Sequence, residues 1–325
     1  MSDSAFNALL TQAYGLYRQG EYASALDLIT RQADHFPERG QTLYFWRMAG
    51  DTPLALRLLA EALEAGHWYP ERQLRQDEDL RPLQGLPEFE RLAETSRQRY
   101  ATAQALAKPE LLVLPPAPAA TGEPLPLLLA LHGNMNTAAA SADFPGPRGV
   151  ARAGWRPATQ WGWLVALPQS SQVGGPDAYV WDDRDWAGRE VQGHYASLAA
   201  QYLVDRARGV LAGFSLGGET AIWLALTAAI PARGFIAVAP GGPMTRQPDA
   251  WAPLIEASPA RGLRGCLVLG EQDVPNCENG LVLAALLHAR GIPCEVEVHP
   301  DLGHDFPPGF AHSLGRALRA IGEAA

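Results

Sequence analysis

Two hydrophobic periods divide the chain. From residue 4 to about 106, apolar residues recur at three- and four-residue spacings with charges interleaved, the pattern of amphipathic helices, and no obvious strand interrupts it. The passage AKPELLVLPPAPAATGEPLP, 107–126, is rich in proline and small residues and ends that regime. The period then changes. LLVL (111–114) reads as a short strand and LPLLLALHG (125–133) as a continuous apolar run closed by glycine, and similar runs recur in WGWLVALP, GVLAGFS, GFIAVAP, GCLVLG and CEVEVHP. Such runs suit strands buried on both faces. Helix-like segments lie between most of them, at 189–205, 216–230, 278–290 and 309–323. Alternation of strand and helix predicts a mostly parallel sheet with helices on both faces, an α/β domain over 108–325 preceded by an all-α domain over 1–107.

Within the helical region, QAYGLYRQGEYASALDLITRQADHFPE places Gly20, Tyr22, Ala25 and Pro37 at the offsets of a turn glycine, a following aromatic, a small residue at a helix crossing and a closing proline. A looser second copy, WRMAGDTPLALRLLAEALEAG, carries Gly50, Ala55 and Ala62 at corresponding offsets. Small residues at these points let paired helices approach closely. The region resembles a short tetratricopeptide-like array of two units, with PEFERLAETSRQRYATAQALA covering the open end. It departs from that family in three ways: Gln32 stands where a small residue is usual, Thr52 replaces the aromatic, and Gly20 and Gly50 are 30 residues apart rather than about 34. The resemblance implies a surface for a protein partner, or else a helical attachment that packs on the neighbouring domain; both readings stay open.

Charge narrows the partners. A net charge of −9 with no block of Lys or Arg argues against nucleic acid and against an anionic membrane surface, both of which need clustered positive charge. Cys266, Cys277 and Cys294 show neither a C-x-x-C nor a Cys/His ligand spacing, so no disulfide framework or zinc site is expected. The opening MSDSAFNALLTQAYGLYRQGEY lacks a basic segment followed by a long apolar run, and no stretch reaches the roughly 18 to 20 uninterrupted apolar residues of a membrane helix. A soluble cytoplasmic protein is the expectation.

The chemistry centres on GVLAGFSLGGETAIWLAL, 209–226, where Ser215 stands in Gly213-Phe214-Ser215-Leu216-Gly217 between a buried run and a helical pattern. A sharp strand-to-helix turn needs small residues two positions either side of its apex, and it lifts the apical hydroxyl clear of the backbone. The alternative is a serine that only caps the helix starting near Leu216, but capping does not require Gly213, Gly217 and Gly218. A serine hydroxyl becomes a nucleophile when a histidine accepts its proton, and the histidine in turn needs a carboxylate. Past GCLVLG lies EQDVPN with Asp273, and past CEVEVHP lies DLGHDFPPGF with His304. His299 is the rival histidine, but it shares the polar side of an alternating strand with Glu295 and Glu297. Glu271, Asp301 and Asp305 are the rival carboxylates.

GFSLGG, LHGN, GEQD and GHDFP, with Ser, Asp and His in that chain order, resemble the α/β-hydrolase family, nearest its small carboxylesterases and the phospholipase/carboxylesterase group, over about residues 108–323. The resemblance implies Ser215 as nucleophile, His304 as base and Asp273 as its partner, acting on a small-molecule ester with no metal or organic cofactor. It also implies an oxyanion hole from the backbone N–H of Leu216 and of Asn134, with Met135 as the alternative donor, on a loop scaffolded by His132-Gly133. In GGPDAYVWDDRDW, 174–186, Trp181 and Asp182 correspond to a pocket wall in those esterases, and Met135 joins them as a pocket residue; a solvated acidic loop is the alternative. The short insertion PGGPMTRQPDAWAPLIEASPARGLR carries no long apolar lid helix, which favours short-chain, soluble acyl substrates. Two rivals remain: an interaction protein whose hydrolase-like scaffold turns over little, and a peptidase or acyltransferase using the same residues.

Overall fold

The structure is a computed structural model that describes residues 9, 12–13, 15–17, 19–32, 52–117, 122–136, 154–176, 178–259 and 262–322. The chain divides into two compact units, Met1–Leu106 with Val173–Pro176, and Ala107–Gln172 with Asp177–Ala325.

Among its described residues the first unit is helical apart from the short strand at Val173–Gly175: α1 (Tyr22–Gln32), α2 (Thr52–Glu64), α3 (Glu71–Gln76), a 3-10 turn at Glu78–Leu83 and α4 (Pro87–Leu106). Leu58, Leu59, Ala62 and Leu63 of α2 pack with Leu74, Leu80, Phe89 and Leu92 in one apolar cluster. Arg75 of α3 clamps Glu90 of α4 through two parallel bonds of 2.8 and 2.7 Å, and Ser96 both donates to and accepts from the Tyr69 backbone. Gly20 takes φ +80 in the turn before α1, and Ala25 is fully buried. Pro37 and Gly50 lie outside the described residues.

The second unit is built on a seven-stranded sheet of order β1-β4-β2-β7-β8-β9-β10, with β1 (Glu110–Leu114), β2 (Leu125–Leu131), β4 (Leu164–Gln169), β7 (Val204–Phe214), β8 (Gly234–Val238), β9 (Arg264–Gly270) and β10 (Cys294–His299); β3 (Met135–Asn136), β5 (Val173–Gly175) and β6 (Ala178–Tyr179) are short strands outside that sheet. Only β1 runs antiparallel, against β4; the other neighbours pair parallel. Strand β2 is buried along its whole length because both faces are covered: Leu127, Leu129 and Leu131 enter one cluster, Leu128 and Ala130 the other. The first cluster is capped by α5 (Arg184–Gln201), α6 (Leu216–Leu226) and α8 (Val274–Ala289), the second by α9 (Phe310–Gly322). Between β8 and β9 lie a 3-10 turn at Pro248–Trp251 and the six-residue α7 (Ala252–Ala257).

Several boundaries differ from the sequence expectation, with α6 ending at Leu226 rather than 230 and α8 starting at Val274 rather than 278 among them. Helix α5 begins five residues earlier than residue 189, because the Asp183 side chain accepts the Trp186 N–H and caps it. Strand β7 extends back to Val204 through the polar DRAR, whose charges are accommodated at an exposed end where Arg208 pairs with Asp205 at 2.6 Å. Among the described residues no helix is long and apolar enough to cross a membrane.

Candidate active site

Strand β7 ends at Phe214 and α6 starts at Leu216, so Ser215 is the whole turn between them. It holds φ 53 and ψ −124, a conformation that costs a non-glycine residue about 1–3 kcal/mol and persists only where the surroundings fix it. Here the Ser215 N–H donates to Val238 O at 3.0 Å, and its own carbonyl accepts from Glu219 and Gly241, each at 3.1 Å. The glycines are required by contact. A methyl on Gly213 would lie 2.3 Å from the Gly217 carbonyl, and one on Gly217 would lie 2.2 Å from the His132 carbonyl oxygen.

Ser215 and Asp273 both occupy N-cap positions, of α6 and α8, and neither side chain caps its helix. Both turn instead to one imidazole. His304 Nε2 lies 2.8 Å from Ser215 Oγ, and His304 Nδ1 lies 2.6 Å from Asp273 Oδ2. A carboxylate only accepts, so Nδ1 carries the proton and Nε2 is left to accept from the serine hydroxyl. The loop after β10 delivers His304 because Gly270, at the end of β9, has no side chain: a methyl there would meet Leu302 O at 2.3 Å and Gly303 O at 2.4 Å. Phe214 flanks the imidazole with ring centroids 5.1 Å apart, and Phe306 stacks on Phe214 at 4.9 Å.

Three of the four rival groups face other partners. His299 Nε2 lies 2.9 Å from Glu297 Oε1, Asp301 accepts from Gln272 at 3.3 Å, and Asp305 accepts the Phe306 N–H at 2.7 Å. Glu271 is exposed.

The loop after β2 is held by His132, which is 8% exposed. Its Nε2 accepts the Ser170 N–H at 3.2 Å, so Nδ1 bears the proton and donates it to Gly133 O at 2.6 Å. In a trans peptide the C=O and the following N–H point in opposite directions, so the Asn134 N–H is turned away from the His132 ring. Leu216 is the first residue of α6, where the geometry of a helix leaves the N–H without an intrahelical acceptor. Asn134 is exposed, and Met135 pairs through its backbone with Tyr179 in a short antiparallel ladder; the Met135 side chain lies outside the described part of the structure. Trp181 is 1% exposed and its indole N–H donates to His132 O at 3.0 Å. This ring holds the β2 loop through that bond and presents almost no surface to solvent, in contrast to the pocket wall expected of it. Asp182 is exposed on the same segment.

Three residues near this cluster escaped the sequence reading. Asn276 donates from Nδ2 to both oxygens of Asp273, at 2.9 and 3.1 Å. Glu219, 1% exposed in the first turn of α6, accepts from Arg184 Nη2 and from the Thr245 N–H, each at 2.7 Å. Glu190 of α5 accepts from Ser170 Oγ and the Ser171 N–H, at 3.2 and 3.1 Å, and also from the Ser171 hydroxyl. The available signals were weak: a polar residue three positions after Asp273, and one carboxylate in the otherwise apolar run LGGETAIWLAL.

Comparison with known proteins agrees with this architecture. Residues 5–104 match the family described as A/B hydrolase-like, N-terminal domain. A crystal structure of an uncharacterized protein from Bacillus cereus ATCC 10987 is similar over 98% of this chain and 99% of that one, at 24% identity and a TM-score of 0.54. The crystal structure of esterase PE8 is similar over 66% of this chain and 99% of its own, at 20% identity and a TM-score of 0.51. Comparison with curated proteins gives no match. The unit that carries Ser215, Asp273 and His304 has the α/β-hydrolase fold.

Proposed function

We propose that the protein is a serine hydrolase that cleaves carboxylic esters of small soluble substrates. One observation carries the reading: His304 stands between Ser215 Oγ and the Asp273 carboxylate, with both hydrogen bonds formed, at 2.8 and 2.6 Å. Ser215 attacks the substrate carbonyl while His304 Nε2 takes its proton, and Asp273 holds the Nδ1 proton and balances the imidazolium. The oxyanion is received by the Leu216 and Asn134 N–H groups. Collapse of the tetrahedral adduct expels the alcohol, which leaves with the proton from His304. Water then repeats the attack on the acyl-enzyme and releases the acid.

Short acyl groups are favoured because, among the described residues, the passage between β8 and β9 holds a 3-10 turn and a six-residue helix and no long apolar helix. Asp182 is exposed beside Trp181, and its negative charge on that loop opposes anionic acyl groups. The test is a series of p-nitrophenyl esters of rising chain length, with wild type compared with Ser215→Ala. Turnover that falls as the chain lengthens and vanishes in the variant supports the reading; turnover equal in the two proteins removes it.

A further inference from the structure

The helix that Asp273 precedes does not hold its carboxylate toward His304. Asp273 sits at the N-cap of α8, its side chain caps nothing, and a carboxylate on a single carbon rotates readily between the helix N–H groups and the imidazole. The helix start competes for it, since its unpaired N–H groups and positive dipole end attract a carboxylate. Something must hold it outward.

Asn276 is placed to do so. It lies three residues on, in the first turn of α8, so the two side chains share one face of the helix. Its Nδ2 donates to Asp273 Oδ1 at 2.9 Å and to Oδ2 at 3.1 Å, spanning the carboxylate. The same nitrogen lies 3.4 Å from His304 Nδ1. That contact is not a hydrogen bond, because Nδ1 already donates its proton to Asp273, and two donors cannot satisfy each other. Asn276 and His304 therefore flank the carboxylate without competing for one another. Gly241 closes the other side: a methyl there would lie 3.4 Å from Asn276 Oδ1 and 3.5 Å from His304 Cε1, while the Gly241 N–H donates to Ser215 O at 3.1 Å.

We infer that Asn276 is a positioning residue of the proposed ester hydrolysis, clamping the Asp273 carboxylate in the orientation that meets His304 Nδ1. It touches no substrate and transfers no proton. An aspartate at this place would add a like charge about 3 Å from the first, and an aliphatic residue would leave the carboxylate with one fewer charge-assisted bond. The amide provides two oxygens with a donor and adds no charge.

The inference rests on the hydrolase reading, and the test separates the two. The variants are Asn276→Ala, which removes the side chain from a helix that tolerates alanine, and Asn276→Leu, which keeps the shape without the donor. The first readout does not need turnover: the far-downfield proton resonance of the His304 Nδ1–H bonded to Asp273, observed in the whole protein and assigned by its loss in His304→Gln. We expect this resonance in wild type and its broadening or disappearance in both variants at an unchanged melting temperature. The second is steady-state kinetics on the preferred ester, where kcat falls about tenfold with KM within about twofold, the scale of one lost bond to a charged group. An unchanged resonance in either folded variant overturns the inference, as does a fall in kcat that merely tracks a loss of folded protein. Absence of ester turnover in wild type, with the resonance behaving as expected, counts against the hydrolase reading and leaves the clamp standing.

Discussion

Gly217 and His132 touch through the backbone: a methyl on Gly217 would lie 2.2 Å from the His132 carbonyl oxygen, the same oxygen that accepts the Trp181 indole N–H at 3.0 Å. The turn that exposes Ser215 and the loop that carries Asn134 are therefore fixed against each other by the absence of one side chain. Gly217→Ala forces main chain against main chain, which no rotamer change relieves. We expect a loss of about 2 kcal/mol or more in stability, together with loss of ester turnover. Chemical denaturation and a turnover assay on the same preparation check both; a fully active, equally stable variant contradicts the close packing.

His132 offers a second test of the same loop. Replacing it with Phe keeps a ring beside Trp181, at a site where the two centroids are 5.0 Å apart, but removes the Nδ1–H that holds Gly133 O. The 133–134 peptide is then free to flip and withdraw the Asn134 N–H. Loss of one oxyanion donor lowers kcat by roughly 10²- to 10³-fold. Steady-state kinetics at constant folded protein decides, and a kcat within twofold of wild type would show that Asn134 is not a donor.

Glu219 ties α6 to Arg184 and to the Thr245 N–H from a position 1% exposed. Glu219→Leu leaves Arg184 and a buried N–H without their acceptor. Breaking a buried pair costs about 3–5 kcal/mol, and the Arg184 side chain, 28% exposed, lowers that to about 2–3 because water screens it. Denaturant unfolding measures the difference, and no change would mean that the carboxylate contributes nothing net.

In the helical unit, the hydrogen bond from Arg75, with the Gly85 N–H, holds the Glu90 carboxyl down at about 2. Its folded value lies below the unfolded one, so the contribution is full above the ordinary carboxylate range and is lost as pH falls toward about 2. Glu90→Gln removes that dependence. Its melting temperature falls less steeply with acid than that of wild type, by an amount that shrinks in high salt because the pair is at the surface.

The three cysteines test the core. Burial pushes the Cys266 and Cys294 thiols up to about 12, and Cys277 is raised by the same cause. Only the thiolate alkylates, so at neutral pH iodoacetamide modifies Cys266 and Cys294 at least ~10²-fold faster in denaturant than in the native protein. Mass spectrometry of the timed reaction reads this directly.

The strands were legible because a parallel sheet covered on both faces writes itself as uninterrupted apolar runs, and β2 is buried at every position. Ser215 was legible for a different reason: the glycines around it answer to backbone contacts that leave no other choice of residue. Position in three dimensions was harder. Trp181 has the composition of a pocket wall, yet its indole N–H finds the His132 carbonyl and the ring is drawn into the core. The start of α5 was hidden because DDRDW reads as a polar loop until one aspartate is seen to cap. Asn276 and Glu219 left only weak traces, because nothing in a helical pattern shows which polar side chain meets a partner.

The account depends most on Ser215 being an activated nucleophile, and a fluorophosphonate probe reports that property without knowledge of the substrate. We predict stoichiometric labelling of wild type, located by mass spectrometry on the peptide containing Ser215, abolished in Ser215→Ala and slowed by several orders of magnitude in His304→Ala. Wild-type protein that is folded and unlabelled, or label that persists in Ser215→Ala, would contradict it.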